Sequence, residues 1–294
     1  MSSATLASRR RRAIPGQAYF VGSAVFHYLG PSFAVLLFAR VSPLGVAWLR
    51  IVTAAAVYAT WRKPWRRWRD LDRESVRSIV AMGVVLGLMN PCFYLAISRL
   101  PLATVAAIEF LPVILLAALG ARTPRNVGAL LTAVVGVGLL TDVRLGGQPL
   151  GFVFAFLNAA LFATYVVAAH RVARLPSFGG IDGLAAAMLV ATAVVSPLGA
   201  GSALAHVGDP VVLGAGLGVG VSSSVIPYVC DQLAMVRLSR ATYALFVSLL
   251  PATAAVVGVI VLAQLPSAVE VLGIALVVAA VGLHREPDQP AASG

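Results

Sequence analysis

Charged residues are scarce in this chain of 294 residues. Asp, Glu, Lys and Arg together make up 11%, whereas 60% of the residues are hydrophobic and the mean hydropathy is +0.92. Soluble domains carry about a quarter charged residues, so the composition excludes an ordinary soluble domain. A helix needs about 20 apolar residues to cross a membrane, and runs of that kind recur along the chain. The composition therefore predicts an all-α polytopic membrane protein in a lipid bilayer.

Cysteine and recognisable catalytic motifs are also lacking. The two cysteines, Cys92 and Cys230, lie inside apolar segments, and the four histidines show no metal-ligand spacing. No disulfide framework or metal site can be built from them. Nucleophile elbows, phosphate-binding loops and metalloprotease helices do not occur. We therefore expect no enzyme activity, no catalytic residue, no metal and no cofactor.

Basic residues are in excess, with a net charge of +11 at pH 7. They lie in short clusters between apolar runs and not on a solvated face with aromatic readers, so we expect no nucleic-acid partner. If the N-terminus is cytoplasmic, the inner loops hold 18 of the 22 Lys and Arg residues. The positive-inside rule then predicts a multi-pass protein of the cell (inner or plasma) membrane with both chain ends in the cytoplasm.

Prolines, glycines, serines and charges divide the chain into ten apolar segments, which predict ten transmembrane helices. The segments run approximately over 15–38, 43–61, 76–98, 101–120, 126–141, 149–169, 181–199, 210–236, 241–263 and 266–283. Glycine pairs such as Gly83 with Gly87 let helices approach closely. We interpret them as intramolecular packing, with dimerisation as the alternative, so the protein is expected to be a monomer or a homodimer.

An internal repeat is visible when residues 92–111 are set over residues 230–249. Nine of the 20 positions are identical, including Arg99 with Arg237 and Thr104 with Thr242. Each copy contains an odd number of crossings, so the two copies enter the membrane in opposite orientations. Inverted repeats of this kind are typical of alternating-access transporters. We predict two inverted five-helix repeats at 13–145 and 146–284, a basic cytoplasmic tail at 1–12 and a cytoplasmic tail at 285–294.

Three ionisable residues lie inside apolar segments: Arg50, Glu109 and Asp231. Such groups are costly in a bilayer unless they face a cavity or a partner, so they are candidate functional residues. The Glu109 carboxyl is a candidate proton carrier. Arg50 could instead tie down backbone carbonyls or the carboxylates, and Asp231 could be hydrated near the membrane surface.

Prolines interrupt the third, fourth, eighth and ninth segments. A helix that loses a hydrogen bond at proline needs a substitute partner, so such breaks usually face protein or a water-filled cavity. The sequence predicts that these prolines line a cavity, with ordinary packing kinks as the alternative. They are Pro91, Pro112, Pro227 and Pro251.

Three stretches of the sequence match a pattern found in a known family. They are Arg40–Pro43 through Arg50, Arg99–Thr104, and Arg237-Leu238 through Leu250-Pro251. With them the chain resembles the drug/metabolite transporter superfamily, EamA type, over nearly its whole length. It is most similar to the threonine and homoserine exporters of that family, through Lys63–Arg66, Ala107–Phe110, and Pro227-Tyr228 followed by Asp231.

The resemblance implies ten helices in two inverted halves and proton-coupled export from the cytoplasm. Two departures suggest a reshaped cavity: Leu111 precedes Pro112 where glycine is common in the family, and Asp231 stands where glutamate is usual.

The substrate hypothesis is a small zwitterion, an amino acid or a similar metabolite. Glu109 would exchange a proton and attract the ammonium group, and Arg50 would attract the carboxylate. Tyr94, Tyr165 and Gln232 are candidate hydrogen-bond donors. Two alternatives stay open: efflux of multiple drugs or cationic compounds, and a membrane sensor or scaffold that transports nothing.

Overall fold

A computed structural model describes residues 16–66, 71–120, 123–142, 148–173, 175, 178, 180–230 and 250–283. Helices are the regular elements of these residues. The α-helices are α1 (Gly16–Leu37), α2 (Pro43–Arg62), α3 (Arg73–Ile97), α4 (Leu102–Gly120), α5 (Pro124–Asp142), α6 (Pro149–Ala173), α7 (Ile181–Leu204), α8 (Pro210–Gly220), α9 (Leu250–Leu262) and α10 (Ala268–Leu283). A short 3-10 turn, Pro64–Arg66, follows α2.

Six helices of the described residues are long and apolar enough to cross a membrane. They are α1, α2, α3, α6, α7 and α8, the last counted to Cys230. The described apolar stretches of α4, α5, α9 and α10 are shorter, at 10–17 residues. The fold is thus that of a polytopic helical membrane protein, and the number of ten crossings stays a prediction.

Local sequence signals explain where several helices begin. Ser42 precedes α2 and its side chain accepts the Gly45 N–H at 3.2 Å. Asp209 caps α8 in the same way and accepts the Val211 N–H at 2.8 Å. In both helices proline occupies the first position, where the missing N–H costs nothing. These caps fix the helix starts close to the bundle ends.

The helices pack in a pattern that repeats along the chain. α2 lies along α7, α5 along α10, and α4 against α9. α3 packs on α6 and α7, while α8 packs on α1 and α2. α4 packs on α6, and α9 packs on α1. When the numbering continues from α10 back to α1, adding five to each helix number converts the contacts α3–α6, α3–α7 and α4–α6 into α8–α1, α8–α2 and α9–α1.

Close approach of α3 and α7 depends on glycine. A Cβ atom on Gly83 would lie 2.5 Å from the Val190 Cβ, and one on Gly87 would lie 2.7 Å from the Val194 Cβ. No side chain fits at either position unless α7 moves away. The predicted intramolecular packing of this pair is observed, because both glycines contact a helix of the same chain.

The two ends of the bundle differ in charge. The basic end holds the α2–α3, α4–α5 and α6–α7 connections, and the opposite end holds the α1–α2, α3–α4, α7–α8 and α9–α10 connections. Arg40 and Arg99 are the basic residues described at the opposite end. Those described at the basic end are Arg62, Lys63, Arg66, Arg73, Arg77, Arg125 and Arg171.

The middle of α8 departs from regular geometry. Residues Val221–Val225 form a π turn, after which the helix continues to Cys230. Gly30 of α1 faces this turn so closely that a Cβ atom there would overlap the Ser223 hydroxyl. π turns redirect backbone carbonyls and often occur at functional sites. This turn lies beside Arg50 of α2.

Candidate functional site

Arg50 is enclosed in the bundle and anchored to the π turn of α8. The residue is only 6% exposed to solvent. Its Nε donates to the Ser224 hydroxyl at 2.9 Å, and its Nη2 donates to the Ser223 carbonyl at 3.0 Å. The guanidinium carbon also lies 5.7 Å from the centre of the Tyr94 ring. Arg50 thus joins α2 to α3 and α8.

Glu109 of α4 is enclosed in the same region and is 5% exposed. Its Oε1 accepts a hydrogen bond from Asn158 Nδ2 of α6 at 3.2 Å. Glu109 lies within electrostatic range of both Arg50 and Tyr28. Arg50 and Glu109 are not among the ion pairs within 4.0 Å in the described part of the chain. Arg50 and Glu109 therefore interact electrostatically without a direct ion pair.

Buried polar atoms with unused hydrogen-bonding capacity surround these two charges. In the described residues, four buried side-chain atoms make no hydrogen bond of good geometry, and each belongs to a different helix. They are Tyr28 Oη, Tyr94 Oη, Asn158 Oδ1 and Ser223 Oγ. The Tyr94 hydroxyl nevertheless lies close enough to Arg50 and Ser223 to interact with both. Leaving a buried polar atom unpaired costs about 1–3 kcal/mol, so such a set indicates a place built to bind polar groups. We call Arg50, Glu109, Asn158, Tyr28, Tyr94 and Ser223 the polar centre.

Tyr165, another of the predicted polar residues, lies outside the polar centre. Tyr165 borders a small cavity of about 60 Å³ together with Tyr228 and Met82, between α3, α6, α7 and α8. Its ring lies 6.2 Å from that of Phe162. Asp231 and Gln232 fall outside the described residues. Of the predicted polar residues, Arg50, Glu109 and Tyr94 are therefore the three found together.

The four prolines occupy buried or half-buried positions. α3 continues through Pro91 and α4 through Pro112 without interruption. The Pro227 carbonyl accepts a hydrogen bond from Ser23 Oγ of α1 at 3.3 Å, and Pro251 lies at the start of α9 as described. Their role in lining a transport cavity stays a prediction.

Sequence reasoning missed Asn158, Tyr28 and the serines of the π turn. Asn158 could have been found, because an amide in the apolar run Phe156-Leu157-Asn158-Ala159 needs a partner in lipid. Tyr28 and the serines of the π turn carry no comparable signal in the sequence.

A larger cavity, of about 430 Å³, opens at the opposite end of the bundle between α1, α4, α9 and α10. None of the residues of the polar centre lines it. The charged groups enclosed in the middle of the bundle and this cavity are thus two separate features.

Known proteins resemble the chain over most of its length. A profile of the EamA-like transporter family matches residues 149–284. The threonine/homoserine exporter RhtA of Salmonella typhimurium (strain LT2) is 30% identical over 272 residues, 88% of each chain. The exporter of the same name from Escherichia coli (strain K12) is 30% identical over 260 residues, 85% of this chain and 84% of its own.

A protein of known crystal structure shares the fold. It superposes with a TM-score of 0.57 at 20% sequence identity and covers 91% of this chain and 97% of its own. At that identity the likeness concerns the fold alone. The sequence identity to curated transporters, in contrast, extends over most of both chains, and so this multi-pass membrane protein belongs to the EamA-like transporter family.

Proposed function

We propose that the protein is a secondary-active exporter of a small amino acid or related metabolite of the threonine or homoserine kind, working in exchange for protons. The observation that carries the proposal is the polar centre, where Arg50 and Glu109 are enclosed together without a direct ion pair. A cationic and an anionic group held apart in this way complement a zwitterion. The relatives named as threonine/homoserine exporters support the substrate class.

Each group of the polar centre has a role in this proposal. Arg50 attracts the substrate carboxylate, and the Tyr94 and Ser223 hydroxyls donate to it. Glu109 attracts the ammonium group, which also donates a hydrogen bond to Asn158 Oδ1. Asn158 Nδ2 orients the Glu109 carboxylate for this contact. Tyr165, Gln232 and Asp231 are proposed to act at other stages of the passage.

Proton exchange follows from the single carboxylate in the described centre. Facing the cytoplasm, Glu109 releases its proton and binds the ammonium group. Facing outward, it takes up a proton, loses the ammonium group and returns without substrate. The proton gradient across the inner membrane thereby drives export against a substrate gradient.

Alternating access would come from two inverted five-helix repeats at 13–145 and 146–284. The helix contacts support this, because adding five to the helix numbers converts α3–α6 into α8–α1 and α4–α6 into α9–α1. Two halves of similar packing can exchange conformations and so expose a shared centre to either side. Pro91, Pro112, Pro227 and Pro251 are proposed to lie along the moving walls.

Orientation is proposed from the charge of the two bundle ends. One end of the bundle holds seven described basic residues and the other holds two. The positive-inside rule assigns the end with more basic residues to the cytoplasm. Both chain ends would then be cytoplasmic, and the opposite end would face outward.

The first experiment measures export of labelled threonine by cells that express Glu109→Gln. Export is expected to fall to the rate of cells without the protein, because glutamine carries no charge and no exchangeable proton. Glu74→Gln is the matched control, since Glu74 is an exposed carboxylate in the first turn of α3. Undiminished export by Glu109→Gln, at equal amounts of protein in the membrane, would remove Glu109 from the mechanism.

Proteoliposomes with an internal pH dye test the coupling. A threonine gradient is expected to move protons with the wild-type protein and not with Glu109→Gln. Threonine flux without proton movement would contradict exchange. Drug resistance without amino-acid flux would favour a cationic substrate, although the charge of Arg50 disfavours the binding of a cation. The absence of any flux would favour a sensor or scaffold.

A further inference from the structure

The cavity at the opposite end of the bundle is lined by both signs of charge. Arg99 comes from the α3–α4 connection, and Glu270 from the first turn of α10. Thr104 and Gln264 add a hydroxyl and an amide to the same wall. Its volume of about 430 Å³ lies within the range of small-molecule sites.

The two charges are held in place by neighbouring groups. Arg99 Nη1 donates to the Leu95 carbonyl at 2.7 Å and to Ser98 Oγ at 3.0 Å. Glu270 Oε2 accepts the Ser267 N–H at 2.8 Å, and Ser267 Oγ accepts the Glu270 N–H at 3.3 Å. This reciprocal capping box fixes the carboxylate at the start of α10. The Arg99 guanidinium carbon also lies 5.4 Å from the centre of the Phe154 ring, and Glu270 is 3% exposed. The cavity is therefore bordered by one basic and one acidic residue at fixed positions.

Gln264 ties the cavity wall together. Its Oε1 accepts the Leu102 N–H at the start of α4 at 3.1 Å, which joins the α9–α10 connection to α4. A Cβ atom on Gly258 would lie 3.2 Å from that oxygen, so glycine leaves room for the contact.

An aromatic pair separates the cavity from the polar centre. Phe38 lines the cavity, and its ring lies 6.0 Å from the Tyr94 ring at an angle of 75°. Tyr94 also contacts the Phe93 ring, and the Arg50 guanidinium carbon lies 5.7 Å from its ring centre. The Phe38–Tyr94 contact thus connects the cavity wall to the polar centre.

We propose that this cavity is a second, outer binding site for the same zwitterionic solute, which it holds after passage from the polar centre. Arg99 binds the carboxylate, Glu270 binds the ammonium group, and the Phe38–Tyr94 contact closes the route between the sites. A simple cation would face Arg99 and a simple anion would face Glu270, so the cavity selects a molecule that carries both charges. The inference rests on the proposed function for its substrate and its orientation.

The test is protection of a cysteine in the cavity wall. Ala255, half-buried and lining the cavity, becomes Ala255→Cys in a background with Cys92→Ser and Cys230→Ser. Intact cells are treated with a membrane-impermeant maleimide with or without threonine, choline or succinate. Threonine is expected to slow labelling, and the two singly charged molecules are not. Val207→Cys, exposed in the α7–α8 connection, is the control that no solute protects.

Variants of the charged groups sharpen the test. Arg99→Gln and Glu270→Gln are each expected to raise the threonine concentration for half-protection by about tenfold or more, the effect of losing one charged contact. Glu74→Gln removes an exposed carboxylate at the basic end of the bundle, far from the cavity, and is expected to leave protection unchanged. Should Ala255→Cys react too slowly, Ser98→Cys at the exposed rim replaces it.

Glu109→Gln distinguishes this proposal from the proposed function. Protection that survives in Glu109→Gln supports a separate outer site, and protection that disappears with it overturns that site. Threonine export by the wild type without any protection overturns the outer site alone. Absence of both export and protection overturns the proposed function, and the outer site with it.

Discussion

Contacts in the middle of the bundle and contacts at its ends both join α1–α5 to α6–α10, but in different surroundings. In the middle, Arg50 donates to the π turn and Asn158 donates to Glu109, and all of these groups are buried. Water cannot replace a partner that is lost there.

At the ends of α2 the contacts are exposed ion pairs. Arg40 Nη1 lies 2.8 Å from Asp209 Oδ2 at the opposite end, with side chains 53% and 30% exposed. Arg62 Nε lies 2.6 Å from Asp182 Oδ1 at the basic end, with side chains 37% and 15% exposed. Exposed pairs contribute about 0–1 kcal/mol, because water competes for both partners.

Distance alone therefore does not rank these contacts. The ion pairs are shorter than the hydrogen bonds of Arg50, yet we expect the stability and activity of the protein to depend on the middle of the bundle. Variants at both places test this expectation.

The largest effect is expected from Arg50→Met. It leaves the Ser223 carbonyl and the Ser224 hydroxyl without a donor, at about 1–3 kcal/mol for each buried group. Export should be lost and the thermal midpoint in detergent should fall. Arg50→Lys should be intermediate, because one ammonium group cannot reproduce the planar fork of arginine. The exposed Arg77→Met is the control, and an equal loss there would mean that burial does not decide the effect.

A smaller effect is expected from Gly83→Ala at the α3–α7 contact. The added methyl group meets Val190 and the Ala187 carbonyl, and forcing it into this packing costs about 1–3 kcal/mol. Gly138→Ala is the matched control, because nothing lies within 4 Å of its Cβ position and alanine favours helices. Thermal midpoints should fall for the first variant and stay or rise for the second. The reverse order would show that α3 and α7 do not pack this closely.

The smallest effect is expected from Asp209→Ala at the end of the bundle. The Val211 N–H and, after it, the Arg40 guanidinium hold the pKa of the Asp209 carboxyl below its usual value. Its contribution to stability is therefore present above the unfolded pKa of about 3.9 and is lost as pH falls through the lower folded value. The thermal midpoints of wild type and variant should differ slightly at pH 7 and converge below pH 3.9. A difference that persists in acid would assign the effect to something other than the ionised carboxylate.

Much of the helical framework was predictable because its signals are local. α2, α6, α7 and α8 begin at the predicted residues Pro43, Pro149, Ile181 and Pro210. Proline cannot occur in a helix interior without cost, so it marks a start. α3 begins at Arg73, before the predicted segment. Its first turn is helical but polar, and the prediction marked only the apolar part of the helix.

The polar centre was predictable in part. Arg50 and Glu109 are conspicuous because charge is rare in an apolar run. Arg50 donates to the Ser223 carbonyl, and its role in binding substrate stays a prediction. The partners were not predictable, since they come from distant helices and depend on how these pack. The outer cavity has the same origin, because residues from α1, α4, α9 and α10 form it together.

The π turn of α8 has a mechanical consequence. An extra residue in one turn puts the two parts of a helix about 100° out of phase, so Ile226–Cys230 face a direction that a regular helix would not give them. Restoring regular geometry would withdraw the Ser223 carbonyl from Arg50 and turn Pro227 away from Ser23 in the same movement. Release of the Arg50 guanidinium and rotation of Ile226–Cys230 would thus be coupled. The one extra residue in the π turn sets the angle of that rotation.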